Sequence, residues 1–179
     1  YKPSEAELRQ CAISLLLAIK DLWSDLRVVH RDIKPLNIMK TEYSHRKFVL
    51  LDLGIAFAVH ETPLTFDAGN RLPPGTFRYL APEMFQHDFR ESLDYRSDLY
   101  ALAVSLFEFA SGRHPLAKDN DDLVQTFSRI LRDTPEQLAN LRPDLSKDFT
   151  EMIDQLLKKV PALRPGNLSL LIRRMGRDS

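Results

Sequence analysis

Apolar residues recur at helical spacing over residues 4–24. Leu8, Cys11, Ala12, Leu15, Leu16, Ile19, Leu22 and Trp23 fall on one broad stripe, and Ser4-x-x-Glu7 behind Pro3 predicts a capping box at its start. The pattern then shortens. Val28-Val29, Ile38-Met39-Lys40 and residues 48–51 read as brief extended segments, with the polar residues 41–47 as a turn between the last two. Helical spacing returns over residues 95–111 through Leu99, Leu102, Ala103, Leu106, Phe107 and Ala110, stopped by Gly112. Asp121-Asp122 opens a further amphipathic helix carrying Leu123, Val124, Phe127, Ile130 and Leu131. Residues 134–144 form a Pro-punctuated connection. Residues 146–159 predict a helix with Phe149, Met152, Ile153, Leu156 and Leu157 inside, and residues 167–175 a short last one. The pattern is mainly helical, with a few short strands and no internal repeat.

Composition narrows the function classes. The chain has 179 residues, 44% hydrophobic and 28% charged, enough for one domain with a substantial core. A formal net charge of zero argues against a nucleic-acid-binding stripe or a polybasic membrane anchor. The longest apolar runs, such as residues 13–19, are too short to span a bilayer. The single Cys11 lies in the apolar stripe of the first helix; it reads as a core residue, and its solitude suits a reducing, cytoplasmic setting. No signal peptide is expected. The chain opens on Tyr1 rather than Met, which fits a fragment or a processed product.

Chemistry concentrates in His30-Arg31-Asp32-Ile33-Lys34-Pro35-Leu36-Asn37. A carboxylate, Asp32, is followed two residues later by a cation, Lys34, and five residues later by an amide, Asn37. A carboxylate orients a hydroxyl or accepts its proton, an ammonium neutralises an anionic group in transfer, and an amide oxygen ligates a hard metal. Asp52, in Asp52-Leu53-Gly54, supplies a second carboxylate at the end of an apolar run. These are the parts that Mg²⁺-assisted phosphoryl transfer uses. Asp98 is the odd residue of its apolar helix, a carboxylate that must be hydrogen-bonded or paired where it is buried.

His-Arg-Asp-x-Lys-Pro-x-Asn, then Asp-Leu-Gly, then Ala81-Pro82-Glu83, resembles the catalytic loop, metal-binding loop and activation-segment end of the eukaryotic-type serine/threonine protein kinase family. The resemblance covers residues 1–179 as a C-terminal lobe. It implies an α+β fold, mainly α-helical, with short β-hairpins at the catalytic and metal-binding loops. It implies ATP and Mg²⁺ as cofactors and a protein Ser or Thr as substrate. Asp32 and Lys34 become the catalytic pair, Asn37 and Asp52 the metal ligands, and Lys34, Asn37, Met39 and Asp52 the nucleotide-binding residues. Met39 falls where kinases place the apolar floor under the adenine; ordinary core packing is its other reading. Thr76, in the stretch from Gly75 to Glu83, is expected to hydrogen-bond to Asp32 and Lys34, and Lys34 with Thr76 is the Ser/Thr arrangement. His30 and Leu53 are expected to pack in the internal stack, Asp98 to hold the His30-Arg31 turn, and Arg164 to pair with Glu83.

Residues 55–75 resemble the activation loop, with Pro63, Gly69, Pro73, Pro74 and Gly75 opposing regular structure over most of it. Arg31 resembles the arginine that captures a loop phosphate in many kinases. Thr62 and Thr65 are the hydroxyl residues of the upper loop; Thr65 is either a phosphorylation site or an ordinary loop residue. The Asp121-Asp122 pair either opens a solvated helix or attracts a basic peptide. Three positions depart from the family pattern: Leu53 stands where Phe is common, Ala103 where Gly is common, and Val160 where Asp is usual.

No Gly-rich loop, Val-Ala-x-Lys strand or pairing helix Glu accompanies these motifs, and no glycine precedes Gly54. Two readings follow. One is part of a Ser/Thr kinase whose N-terminal lobe lies elsewhere, the 179 residues alone being inactive or nearly so. The other is a stand-alone, non-catalytic kinase-like lobe acting as an interaction or regulatory module.

Overall fold

The structure is a computed structural model that describes residues 1–42, 47–52, 57–58, 76–86 and 93–176. Helix α1 runs from Glu5 to Asp21. Half of the predicted capping box forms: the Ser4 hydroxyl accepts from Glu7 N at 3.2 Å. The Glu7 carboxylate does not turn back to Ser4. It accepts instead from the Tyr1 hydroxyl and from Lys40 Nζ, the latter at 2.6 Å. Where the pattern predicts helix to residue 24, α1 gives way to a π-helical turn, Leu22–Leu26, ended by left-handed Arg27 (φ 54°). That turn carries Trp23 off the main core to pack against Tyr95, with Arg27 over its ring.

Strand β1 (Val28–Val29) pairs antiparallel with β4 (Phe57–Ala58). The periodicity does not predict the segment at 57–58, because a two-residue strand has no period of its own and takes its order from the partner. Strands β2 (Ile38–Lys40) and β3 (Phe48–Leu50) form the expected hairpin, with Ile38 opposite Leu50 and Lys40 opposite Phe48. Helix α2 (Tyr95–Ser111) follows, its N-cap Asp94 accepting from Arg96 N at 2.7 Å and its C-cap Gly112 left-handed at φ 71°. Then come α3 (Leu123–Arg132), the four-residue α4 (Leu138–Leu141), α5 (Lys147–Leu156) and α6 (Leu168–Met175). Helix α4 lies inside what the prolines suggest is plain connection.

Helix α2 is the axis of the core. Eleven consecutive residues, Ser97 to Phe107, are buried, as expected of a helix apolar almost all round. Helices α1 and α5 pack against it, and α6 closes over α1. Leu8, Leu15, Leu16 and Ile19 of α1 meet Leu99, Leu102, Leu106 and Phe107 of α2 and Phe149, Met152 and Ile153 of α5 in one fully buried cluster. Helix α3 differs from the expected stripe: Ile130 and Thr126 are buried, but Leu123, Val124 and Leu131 are exposed. Its capping box, between Asp122 and Gln125, makes Asp122 the N-cap of α3. Asp121 accepts from Lys118 N and pairs with Arg129.

Two buried arginines stitch the ends together. Arg9 donates to the Arg174 and Met175 carbonyls and to Ser146 Oγ, all at 3.2 Å, and lies over the Phe149 ring. Arg142 donates to the Ala110 and Pro3 carbonyls at 2.7 and 2.9 Å and pairs with Asp144. Among the described residues no helix is long and apolar enough to cross a membrane.

Candidate active site

The loop between β1 and β2 is anchored from below by Ile33, fully buried in the main cluster. That anchor sets its neighbours Asp32 and Lys34 side by side at the edge of the core, 6% and 7% exposed. Lys34 Nζ donates to Asp32 Oδ2 at 2.9 Å and to Thr76 Oγ1 at 2.7 Å. The expected direct bond from Thr76 to Asp32 is replaced by this bridge. The ammonium has three donors and lies between two acceptors, so the link between the Asp32 loop and the Thr76 segment runs through Lys34.

Asn37, on the 3₁₀ turn Pro35–Asn37, spends its amide nitrogen on Asp32: Nδ2 donates to Oδ2 and to the backbone carbonyl, both at 2.8 Å. Asp32 Oδ2 is thereby doubly satisfied. Oδ1 also lies 2.9 Å from Lys34 Nζ, but outside hydrogen-bonding angle, and among the described residues this buried oxygen has no hydrogen-bond donor. With Nδ2 committed, Oδ1 of Asn37 is the amide atom left for another partner.

The hairpin brings Asn37 and Asp52 to one end. Its register continues past the strands, where Leu51 N donates to Asn37 O at 2.8 Å, so Asp52 stands one residue beyond the position opposite Asn37. Asp52 has a left-handed backbone (φ 64°), which turns the chain sharply at the strand end. Among the described residues no group of three or more His, Cys, Asp and Glu is built to hold a metal. An amide oxygen and one carboxylate are a hard-oxygen pair suited to Mg²⁺ that completes its shell with water and phosphate oxygens. Met39, two residues on from Asn37 in β2 and opposite Val49, is 47% exposed, so core packing is not its role in this chain. Leu53, Gly54 and residues 59–75, with Thr62 and Thr65, lie outside the described residues.

The loop backbone is held from α2. Arg31 has φ 68°, a conformation costing a non-glycine residue roughly 1–2 kcal/mol. The Asp98 carboxylate offsets that cost by accepting the N–H of His30 at 2.8 Å and of Arg31 at 2.9 Å. Burial pushes Asp98 up to about 6, against the pull of those two N–H groups. His30 is buried beside it, and its Nδ1 accepts from Asp32 N at 3.3 Å. Burial holds its imidazole below the ordinary range, although Asp32 and the Leu51 carbonyl pull the other way.

The segment Thr76–Tyr79 is fixed on its far side by a residue that no sequence motif marks. His114 Nε2 bonds to the Arg78 carbonyl at 2.9 Å, while Nδ1 accepts from Leu116 N and Ala117 N at 3.1 and 2.8 Å. Two accepted N–H groups put the ring proton on Nε2, and burial brings this imidazole down to about 4. Beyond Tyr79, Glu83 and Arg164 make a buried bidentate pair at 2.7 and 2.8 Å, with Ser97 Oγ also donating to Glu83. Arg164 further donates to the carbonyls of Arg96, Lys158 and Lys159. A histidine after Gly112 carries no sequence signal; its value is three backbone groups that only the fold brings within reach.

Comparison with known proteins agrees with this geometry. A dual specificity mitogen-activated protein kinase kinase, mek-1 of Caenorhabditis elegans, is 30% identical over 169 residues, 94% of this chain and 45% of its own length. The serine/threonine-protein kinase PknH of Mycobacterium bovis is 35% identical over 146 residues, 80% of this chain and 23% of its own. PknA of Mycobacterium tuberculosis is 36% identical over 138 residues, 76% and 29% respectively. The chain thus spans less than half the length of these relatives. In fold, it superposes on the Rad53 kinase domain with SCD2 in complex with AMPPNP, at a TM-score of 0.72 and 20% identity, covering 97% of this chain and 59% of that one. The protein kinase domain family matches residues 2–174, and over that span the chain belongs to the protein kinase family.

Proposed function

We propose that this chain supplies the C-terminal-lobe half of an ATP- and Mg²⁺-dependent protein kinase site that phosphorylates Ser or Thr of protein substrates. The arrangement of Asp32 carries the reading. One carboxylate oxygen is fixed by Lys34 and Asn37, and the other, 2.9 Å from the Lys34 ammonium, accepts no hydrogen bond among the described residues. A substrate hydroxyl is the donor that would complete it. Asp32 then orients that hydroxyl and takes its proton. Lys34 keeps positive charge beside the attacking oxygen and ties Asp32 to Thr76, so loop and substrate segment move as one. Asn37 Oδ1 and Asp52 would hold the Mg²⁺, and Met39 would lie under the adenine. When bound, Mg²⁺-ATP supplies the transferable phosphoryl group and the cation that neutralises its charge.

The Ser/Thr preference rests on Lys34 and Thr76, whose 2.7 Å bond joins the catalytic loop to the segment that receives the substrate. The Gly-rich loop and strand lysine that cover a nucleotide are not in this sequence, so the 179 residues alone are expected to turn over little or nothing. The test is phosphate transfer to a protein substrate by the full protein. Asp32→Asn should lower it by about 10²–10⁴-fold without unfolding, and the products should be phosphoserine and phosphothreonine. Undiminished transfer by the variant would defeat the assignment of Asp32, and phosphotyrosine as the main product would defeat the substrate class.

A further inference from the structure

A cleft of about 280 Å³ opens between the end of α3 and the end of α5, lined by Asp133, Thr134, Pro135, Asp154, Lys158 and Lys159 among others. It lies away from the loop of Asp32. Lys159 reaches into it from the turn after α5, half-buried, and its Nζ donates to the Ile130 carbonyl at 2.5 Å. Lysines 2, 34, 40 and 147 each pair with a carboxylate. Among the described residues Lys159 shares with Lys20, Lys47, Lys118 and Lys158 the lack of a carboxylate within ion-pair distance; it is set apart from them by its Nζ, which donates to one carbonyl near the end of α3. We propose that Lys159 is an acylation site, its amine attacking a small acyl thioester admitted through this cleft.

The chemistry balances without a further reagent. The nitrogen lone pair adds to the acyl carbon, the C–S bond breaks, and the thiolate leaves with the amine proton, giving an amide and a free thiol. The step needs a neutral amine in solvent contact. Burial supplies the first, bringing Lys159 from 10.5 down to about 8, with Arg164 assisting and Asp133 opposing. The other charges lining the cleft are of both signs: Arg132 and Lys158 against Asp154. At about pH 7.5 an amine at that value is neutral roughly two hundred times more often than an ordinary lysine. The cleft supplies access, and its size favours an acetyl-sized group. The modified residue would also sit on the turn whose carbonyls, Lys158 O and Lys159 O, accept from Arg164.

The experiment is competitive labelling of the folded protein with a limiting amount of isotope-labelled acetyl-coenzyme A across pH, read by peptide mass spectrometry with fragment ions that separate Lys159 from Lys158. Lys159 should label about tenfold or more faster than Lys158 and the exposed Lys147 near pH 7.5, with a rate that levels off above about pH 8–9. In concentrated guanidinium the excess should vanish. Lys159 labelling no faster than Lys158, or a rate climbing in parallel with Lys147 to high pH, would overturn the proposal.

Discussion

Asp98 holds Arg31 in a left-handed conformation. The carboxylate projects from the first turns of the buried helix and takes two successive backbone N–H groups, those of His30 and Arg31, at 2.8 and 2.9 Å. The catalytic-loop candidate is therefore fixed by a side chain almost seventy residues away, rather than by its own sequence. Asp98→Ala would orphan the buried His30 N–H and the partly buried Arg31 N–H, each costing about 1–3 kcal/mol. The expected loss, roughly 2–6 kcal/mol, should appear as a lower denaturant midpoint. An unchanged midpoint would show that the N–H groups find water or another acceptor.

The Glu83–Arg164 pair closes the far end of the stretch that begins at Thr76. Both residues are buried, and Arg164 also satisfies three backbone carbonyls. Removing one partner leaves an uncompensated charge, a loss of roughly 3–5 kcal/mol. Arg164→Met should show that loss in chemical denaturation, and adding Glu83→Gln should recover part of it. Recovery will be incomplete, because the carbonyls of Lys158 and Lys159 stay unpaired. Equal stability of the single and double variants would remove the ion pair as the cause.

Thr76→Val separates the Thr76 segment from the Asp32 loop while keeping shape. It deletes the Oγ1 that accepts from Lys34 at 2.7 Å, a bond to a charged donor worth about 1.5–3 kcal/mol. Denaturation should register that loss. In the full protein, phosphate transfer should fall much further than the stability change explains, since Lys34 would be free to leave Asp32. Activity that follows only the folded fraction would make Thr76 a packing residue.

Much of this arrangement is legible in the residues. Helical periodicity locates α1, α2 and α5, because each buries a continuous stripe whose spacing is set by the helix itself. Asp98 stands out as a carboxylate in an apolar helix. The failures share a cause. Arg9 and Arg142 are buried by satisfying carbonyls far along the chain, Arg174 O and Pro3 O among them, and a carbonyl leaves no mark in a sequence. His114 escapes notice for the same reason. Periodicity puts Leu123, Val124 and Leu131 inside because spacing marks an apolar edge without saying what covers it. Glu7 completes the spelling of a capping box, yet Lys40 and Tyr1 compete for its carboxylate, and they win.

Two buried titrations should oppose each other in mild acid. Asp98 lies near 6 in the folded protein against 3.8 for an ordinary aspartate carboxyl, so its ionised form is disfavoured by folding. The native state binds more protons between those values, and this contribution to stability is complete below about pH 4 and lost as pH rises through 6. Its size is at most about 3 kcal/mol. His114 runs the other way. Its folded value near 4 lies below the ordinary 6.5, so the unfolded chain binds more protons between them. That contribution is full above about pH 6.5 and lost as pH falls towards 4, because protonating Nδ1 would break the bonds from Leu116 N and Ala117 N. Urea unfolding from about pH 4 to 7 would show both as differences from the parental curve. Parental minus Asp98→Asn should decline with rising pH, and parental minus His114→Gln should climb. A flat difference for either variant means that group titrates alike in the folded and unfolded chain, and its assigned burial effect fails.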